Sequence, residues 1–290
     1  MHKRDTVVSN CSQVAGQSGV TLVELIMVIV LMGVIGGIVA VFMKSPIDAY
    51  FDTARRAGIA DQADTTVRRM ARDIRKALPN SIRLGGTGGN QCIEFIPTRM
   101  GGRYRTQDIT PVPSDNSALR FDLADDAFNM LGLNTALPPD QQIQVNDRVV
   151  VYNLGIPGSD AYTGINMAQV TAVGVSPLSA AETLISLTGN TTVFPLESAS
   201  SRFHVVPRDE KVVSYHCSGT RLYRSADYAY GTSCPAPVAG TTPVIATGAT
   251  CNFAYSTADI RNALVQLSLS FSDAGETASI YHEVHVDNTP

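Results

Sequence analysis

The chain is poor in cysteine, and no two of its five cysteines stand at C-x2-C spacing. That removes the close ligand pairs of a structural zinc site. No G-x-S-x-G nucleophile elbow occurs. The glycine run Gly85-Gly86-Thr87-Gly88-Gly89 lacks the G-K-[ST] ending of a phosphate loop; it reads instead as a hinge after a long helix. His282 and His285 sit three apart on a strand-like segment, which turns their rings to opposite faces; a zinc helix needs two His at i and i+4 on one face. Asp115, Asp122, Asp125 and Asp126 lack the glycine and terminal glutamate of a calcium loop, and read as local caps and a solvated face. Residues 79–290 hold twelve Lys/Arg against nineteen Asp/Glu, a net of −7. A phosphate-backbone binder needs the opposite sign. The expectation is a protein that is not an enzyme, holds no metal or cofactor, and has no nucleic-acid partner.

What is present is an apolar run over residues 20–42, 23 residues with one charge, Glu24. That length suffices to cross a hydrocarbon core of roughly 30 Å as a helix. A carboxylate inside such a run costs on the order of 2.5–3.5 kcal/mol at the membrane centre, less near an edge. Glu24 therefore calls for a partner. Cleavage after Gly19 would supply one, a positive α-amine on Val20 four residues away. Met1-His2-Lys3-Arg4 looks like the basic start of a secretory signal peptide. The apolar run is too long for one, however, and carries a charge inside. A plain signal anchor leaves Glu24 unexplained.

Gly19-Val20-Thr21-Leu22-Val23-Glu24-Leu25 followed by an apolar run resembles the class III signal of type IV prepilins and of type II secretion pseudopilins. The resemblance implies a leader of residues 1–19, cut by a dedicated prepilin peptidase between Gly19 and Val20, with N-methylation of Val20. The family usually carries Phe or Met at the new N-terminus, where this chain has Val20. Cys11 leaves with the leader. The implied fold is α+β and pilin-like: a long N-terminal helix, its first half membrane-spanning, packed on a β-rich head.

Residues 20–43 form the membrane or filament-core part of that helix, and residues 44–78 its amphipathic continuation. Ile47, Tyr50, Phe51, Ala54, Val67, Met70, Ile74 and Leu78 follow three-to-four spacing. Pro46 should kink the helix, and Leu78-Pro79-Asn80 should stop it. One helix over 20–78 would be about 88 Å long. Gly33 and Gly37 form a G-x-x-x-G step, suited to close packing against another helix. Residues 44–78 hold eight Lys/Arg against five Asp, a net of +3. Arg68, Arg69, Arg72, Arg75 and Lys76 read as a solvated or subunit-facing helix side.

Residues 79–290 read as one β-rich extracytoplasmic head with no dividing linker. Candidate strands lie at 91–97, 118–123, 147–154, 165–175 and 182–187, with hairpins at 212–224 and 265–286. Without Cys11, four cysteines remain: Cys92, Cys217, Cys234 and Cys251. An even number in an exported domain suggests two disulfides, with three connectivities open. The last three are 17 apart, so two of them should pair and the third reach Cys92; which two is open.

Cys92-Ile93-Glu94-Phe95-Ile96-Pro97, with Gly101-Gly102-Arg103-Tyr104-Arg105, is similar to the minor pilins of the MSHA (mannose-sensitive haemagglutinin) pilus system. So is Val212-Val213-Ser214-Tyr215-His216-Cys217 leading to Leu222-Tyr223-Arg224. The last strands are similar to W-type minor pilins and J-type pseudopilins. The resemblance implies a minor pilin, inserted N-in in the bacterial inner membrane with its head in the periplasm, then carried into a surface pilus. Its implied partners are the prepilin peptidase, other minor and major pilins, the inner-membrane assembly platform, and lipid before assembly. Glu24 would pair with the α-amine of a neighbouring subunit. A head of about 210 residues fits a tip complex better than a repeated position. The alternatives are a J-like pseudopilin of type II secretion and a tip adhesin whose loops 98–117 and 129–164 bind a ligand.

Overall fold

The structure, a computed structural model, describes residues 19–110, 115–122, 124–188, 194–231, 233–256 and 262–290. The expected leader, with Lys3, Arg4 and Cys11, lies outside them apart from Gly19. The chain divides into two compact units, Met1–Ala54 and Arg55–Pro290. One helix, α1 (Leu22–Ile74), has its first part in one unit and its last part in the other. Helical geometry runs through Pro46.

Within the second unit, α1 buries a stripe made of Ile59, Ala63, Val67, Met70, Ala71 and Ile74. The three-to-four spacing keeps these side chains on one face, and each buried Ile, Val or Met stabilises by about 1.5–3 kcal/mol. The helix ends at Ile74, four residues before the expected stop at Leu78. The Lys76 and Ala77 amides bond three residues back, to Asp73 and Ile74, tightening the last turn. Ala77 then bridges Pro97, and the Leu78 N–H donates to the Ile96 carbonyl at 2.7 Å. Sheet-like pairing thus takes the chain before Pro79 can stop the helix.

Fourteen strands follow among the described residues. They are β1 (Arg83–Thr87), β2 (Asn90–Phe95), β3 (Met100–Arg103), β4 (Ala127–Leu131), β5 (Arg148–Val151), β6 (Met167–Val175) and β7 (Glu182–Leu187). The rest are β8 (Arg202–Val206), β9 (Val213–Ser218), β10 (Arg221–Ala226), β11 (Val244–Thr247), β12 (Ala249–Ser256), β13 (Asn262–Asp273) and β14 (Glu276–Asp287). All sheet pairings are antiparallel, in orders β1-β2-β9-β10-β11, β12-β13-β14 and β3-β8-β5-β6-β7-β4. The architecture is α+β: a long apolar N-terminal helix followed by a β-rich head of three antiparallel sheets.

The glycine run is a hairpin, not a hinge. Gly88 and Gly89 form the two-residue turn between β1 and β2. Gly86 has φ +73°, and a Cβ there would sit 1.8 Å from the Asn90 carbonyl oxygen. Residues 118–122 also depart from expectation and form no strand; Leu123 lies outside the described residues. Their backbone is held by loop contacts, with the Leu119 N–H on the Arg105 carbonyl and the Arg120 N–H on Asp125.

The head is less uniform than the sequence suggests. β2 and β9 are neighbours in one sheet, yet 117 residues, 96–212, lie between them. That insertion builds the six-stranded sheet with a core of its own, including Tyr104, Phe128, Val149, Val170, Ile185, Phe203 and Val205. Its two ends meet: Tyr104 bridges Met130, and the Arg105 N–H donates to the Asn129 carbonyl at 2.9 Å. Curling a sheet onto itself in this way covers part of its open edge. The other core lies between the end of α1 and the five- and three-stranded sheets. A small cluster around Leu78, Ile96, Val150, Tyr162, Val206 and Val212 joins the insertion to the rest of the head.

Candidate functional site

Gly19 and Val20 precede the helix and are exposed. Thr21 caps it: its carbonyl accepts the Leu25 N–H at 3.1 Å and its Oγ1 accepts the Glu24 N–H at 3.3 Å. Thr21-Leu22-Val23-Glu24 is thus a T-x-x-E capping sequence. Sequence reasoning overlooked this cap, which Thr21 makes to the Glu24 backbone N–H, although the spacing displays it. A carboxylate in the first turn also lies favourably against the helix dipole. Among the described residues, Glu24 has no ion-pair partner.

Every residue of α1 from Leu22 to Phe51 is exposed. The apolar part reaches a mean hydropathy of 3.0 over an 18-residue window, with none of that window buried. It is long and apolar enough to cross a membrane. Gly33 and Gly37 stand four apart, on one helix face, and a Cβ added at either meets nothing within 4 Å. Such a surface needs lipid or protein cover.

Three carboxylates of the second unit, Asp73, Glu94 and Glu182, hold its layers together. Asp73, near the end of α1, accepts from the Tyr215 hydroxyl at 2.8 Å and from Arg224 Nε at 3.0 Å. Arg224 also donates to Glu210. Burial, then the Asp73 charge, pushes the Tyr215 hydroxyl well above its ordinary value. Glu94 in β2 is fully buried and accepts from Arg83, from the Tyr228 hydroxyl at 2.6 Å and from the Cys234 N–H at 2.7 Å. Glu182 accepts from Arg105 and from Asn129; the Arg105 hydrogen bond holds its carboxyl below the usual range.

Cys92 pairs with Cys234, and Cys217 with Cys251, at Cα separations of 6.1 and 6.0 Å. Two of the last three cysteines therefore pair, and Cys234 reaches Cys92. The first bridge ties β2 to the segment after β10; the second ties the five-stranded sheet to the three-stranded one.

Asp115 accepts the Thr110 and Ser117 N–H groups, and Asp125 those of Arg120 and Ala127. Asp122 lies 3.6 Å from Arg120. These carboxylates brace loops. His282 and His285 lie on β14, the first partly buried and the second exposed, on opposite faces. Arg68, Arg72 and Arg75 line a groove of about 630 Å³ with His282, Val67, Ala71 and Ile280. Among the described residues no three His, Cys, Asp or Glu side chains gather as a metal group.

No family model, no curated protein and no solved structure matches this chain. Its reading therefore rests on the residues and their arrangement.

His204 in β8 has a testable acid response. Burial lowers its ring to about 4 from an ordinary 6.5; Arg202 adds to this, while Asp287 opposes it. Between those values the unfolded chain binds the proton and the folded chain does not. This group's contribution to stability should therefore fall as pH drops from 6.5 towards 4. Thermal midpoints measured across that range should decline, and His204→Gln should flatten the decline. An unchanged slope in the variant would refute this assignment.

Proposed function

We propose that this chain is a minor pilin of a type IV, MSHA-type pilus. The prepilin enters the inner membrane N-in and is cut between Gly19 and Val20, and Val20 is methylated. The apolar part of α1 then leaves lipid for a bundle of like helices, where Glu24 pairs with the α-amine of a neighbouring subunit. Gly33 and Gly37 allow those helices to approach closely. The head docks on other minor subunits at the tip, and the complex primes assembly. The role is structural, not enzymatic.

One observation carries this reading. A helix whose apolar first part, Leu22 to Phe42, is wholly exposed begins just after the Gly19-Val20 junction, with that part's lone carboxylate in the first turn. A simple anchor has no use for that carboxylate beyond capping, whereas an assembling helix uses it to set register. Mass spectrometry of the mature N-terminus tests the reading. The expected peptide starts at N-methylated Val20. An intact leader, or a cut near Ala40, would end it.

A further inference from the structure

We propose that the seam of the six-stranded sheet is a binding site for a small ligand carrying an oxyanion, namely a carboxylate, sulfate or phosphate group, held between Arg103 and Arg202. This inference does not rest on the filament reading.

The register of β3 against β8 places Arg103 directly opposite Arg202, and Gly101 directly opposite His204. Alternation puts these four residues on one face of the strand pair, and Gly102 and Phe203 on the other. The burial pattern agrees: Arg103 is exposed and Arg202 and His204 are partly buried, while Phe203 is fully buried. Like charges facing each other across two strands repel. Among the described residues neither guanidinium has a carboxylate partner. An oxyanion between the two guanidinium groups would turn that repulsion into charge-assisted hydrogen bonds.

The surroundings leave room for the rest of a ligand. β3 ladders only with β8, and the contact that closes the sheet is at Tyr104 and Met130, beyond β3. Along Gly101 and Gly102 the seam carries no ladder, and Met130 of β4 packs against Gly102, its Sδ 3.3 Å from where a Cβ would stand. Those glycines, Arg103, Leu131, Arg202, Phe203 and His204 line a depression of about 400 Å³, within the range of small-molecule sites. Gly102 must stay small, because a Cβ there would lie 2.7 Å from the Phe203 ring. Gly101 has no such need: its Cβ would sit 3.5 Å from the nearest atom, in His204. Its absence keeps the floor clear.

The test is calorimetric titration of the full chain in detergent micelles. The probes are glucuronate, glucose 6-sulfate, glucose 6-phosphate, inorganic phosphate and uncharged glucose. At least one anionic probe should bind saturably and glucose should not. Equal affinity for inorganic phosphate would also support the site and assign the free anion as its ligand. The double variant Arg103→Gln/Arg202→Gln should bind at least about tenfold more weakly. Its melting midpoint should be unchanged or raised, because a repulsion is removed. Gly101→Val, which fills the floor and spares both charges, should also lose binding of the sugar probes. Failure of every anionic probe to bind the wild-type chain, or retention of affinity within about twofold in both variants, would overturn the proposal.

Discussion

Glu24→Ala should leave cells with few or no filaments containing this subunit. In the proposed assembly, Glu24 neutralises the α-amine of a neighbouring chain inside an apolar bundle. Removing one member of a buried ion pair costs about 3–5 kcal/mol, because the other is left alone. That corresponds to roughly a hundredfold to several-thousandfold in the assembly equilibrium. The capping geometry at Thr21 makes a sharper variant available. Glutamine at this helix position can still complete a capping box but carries no charge. Glu24→Gln should therefore fail nearly as badly as Glu24→Ala if the charge is what matters. Pilus counts by electron microscopy, with immunodetection of this subunit, separate the two roles. Wild-type piliation and incorporation in Glu24→Gln would reduce Glu24 to a helix cap.

Loss of either disulfide should destabilise the head by several kcal/mol, and the two should differ in order. The Cys92–Cys234 bridge spans 142 residues and the Cys217–Cys251 bridge 34. In the chain-entropy model these close the unfolded chain at a cost of about 5 and about 4 kcal/mol respectively. The longer loop encloses the whole insertion, so its bridge staples the base of the six-stranded sheet beside β2. Cys92→Ser/Cys234→Ser should thus melt lowest, about 10 °C or more below wild type, with Cys217→Ser/Cys251→Ser between them. Thermal or urea denaturation of the full chain in detergent, followed by circular dichroism, measures both. A reversed order would show that native contacts at the shorter bridge, not loop closure, dominate.

The local features were legible in the sequence because near neighbours set them. An uninterrupted apolar run becomes an exposed apolar helix whatever the head does. Alternation at Val265, Leu267, Leu269 and Phe271, with the Asp273–Glu276 turn, leads directly to the β13–β14 hairpin. Three-to-four spacing at Val67, Met70 and Ile74 reports the buried helix stripe. The glycine run misled because hinge and hairpin share a composition; pairing of β1 with β2 decides between them. Residues 118–122 misled because a short apolar run satisfies a strand template, while Asp125 takes up its backbone donor in a loop.

The sequence by itself determined the coarse architecture of this protein: an apolar run with one carboxylate, Glu24, five residues after Gly19, then a β-rich head with four cysteines. Tertiary structure alone decided three further matters. It placed residues 96–212 as a separate sheet between two adjacent strands, chose Cys234 as the partner of Cys92, and set Arg103 against Arg202. The physical reason is common to all three. Each depends on strand register and on contacts between residues about a hundred or more positions apart, where loop closure costs little extra per residue and local propensity carries no information.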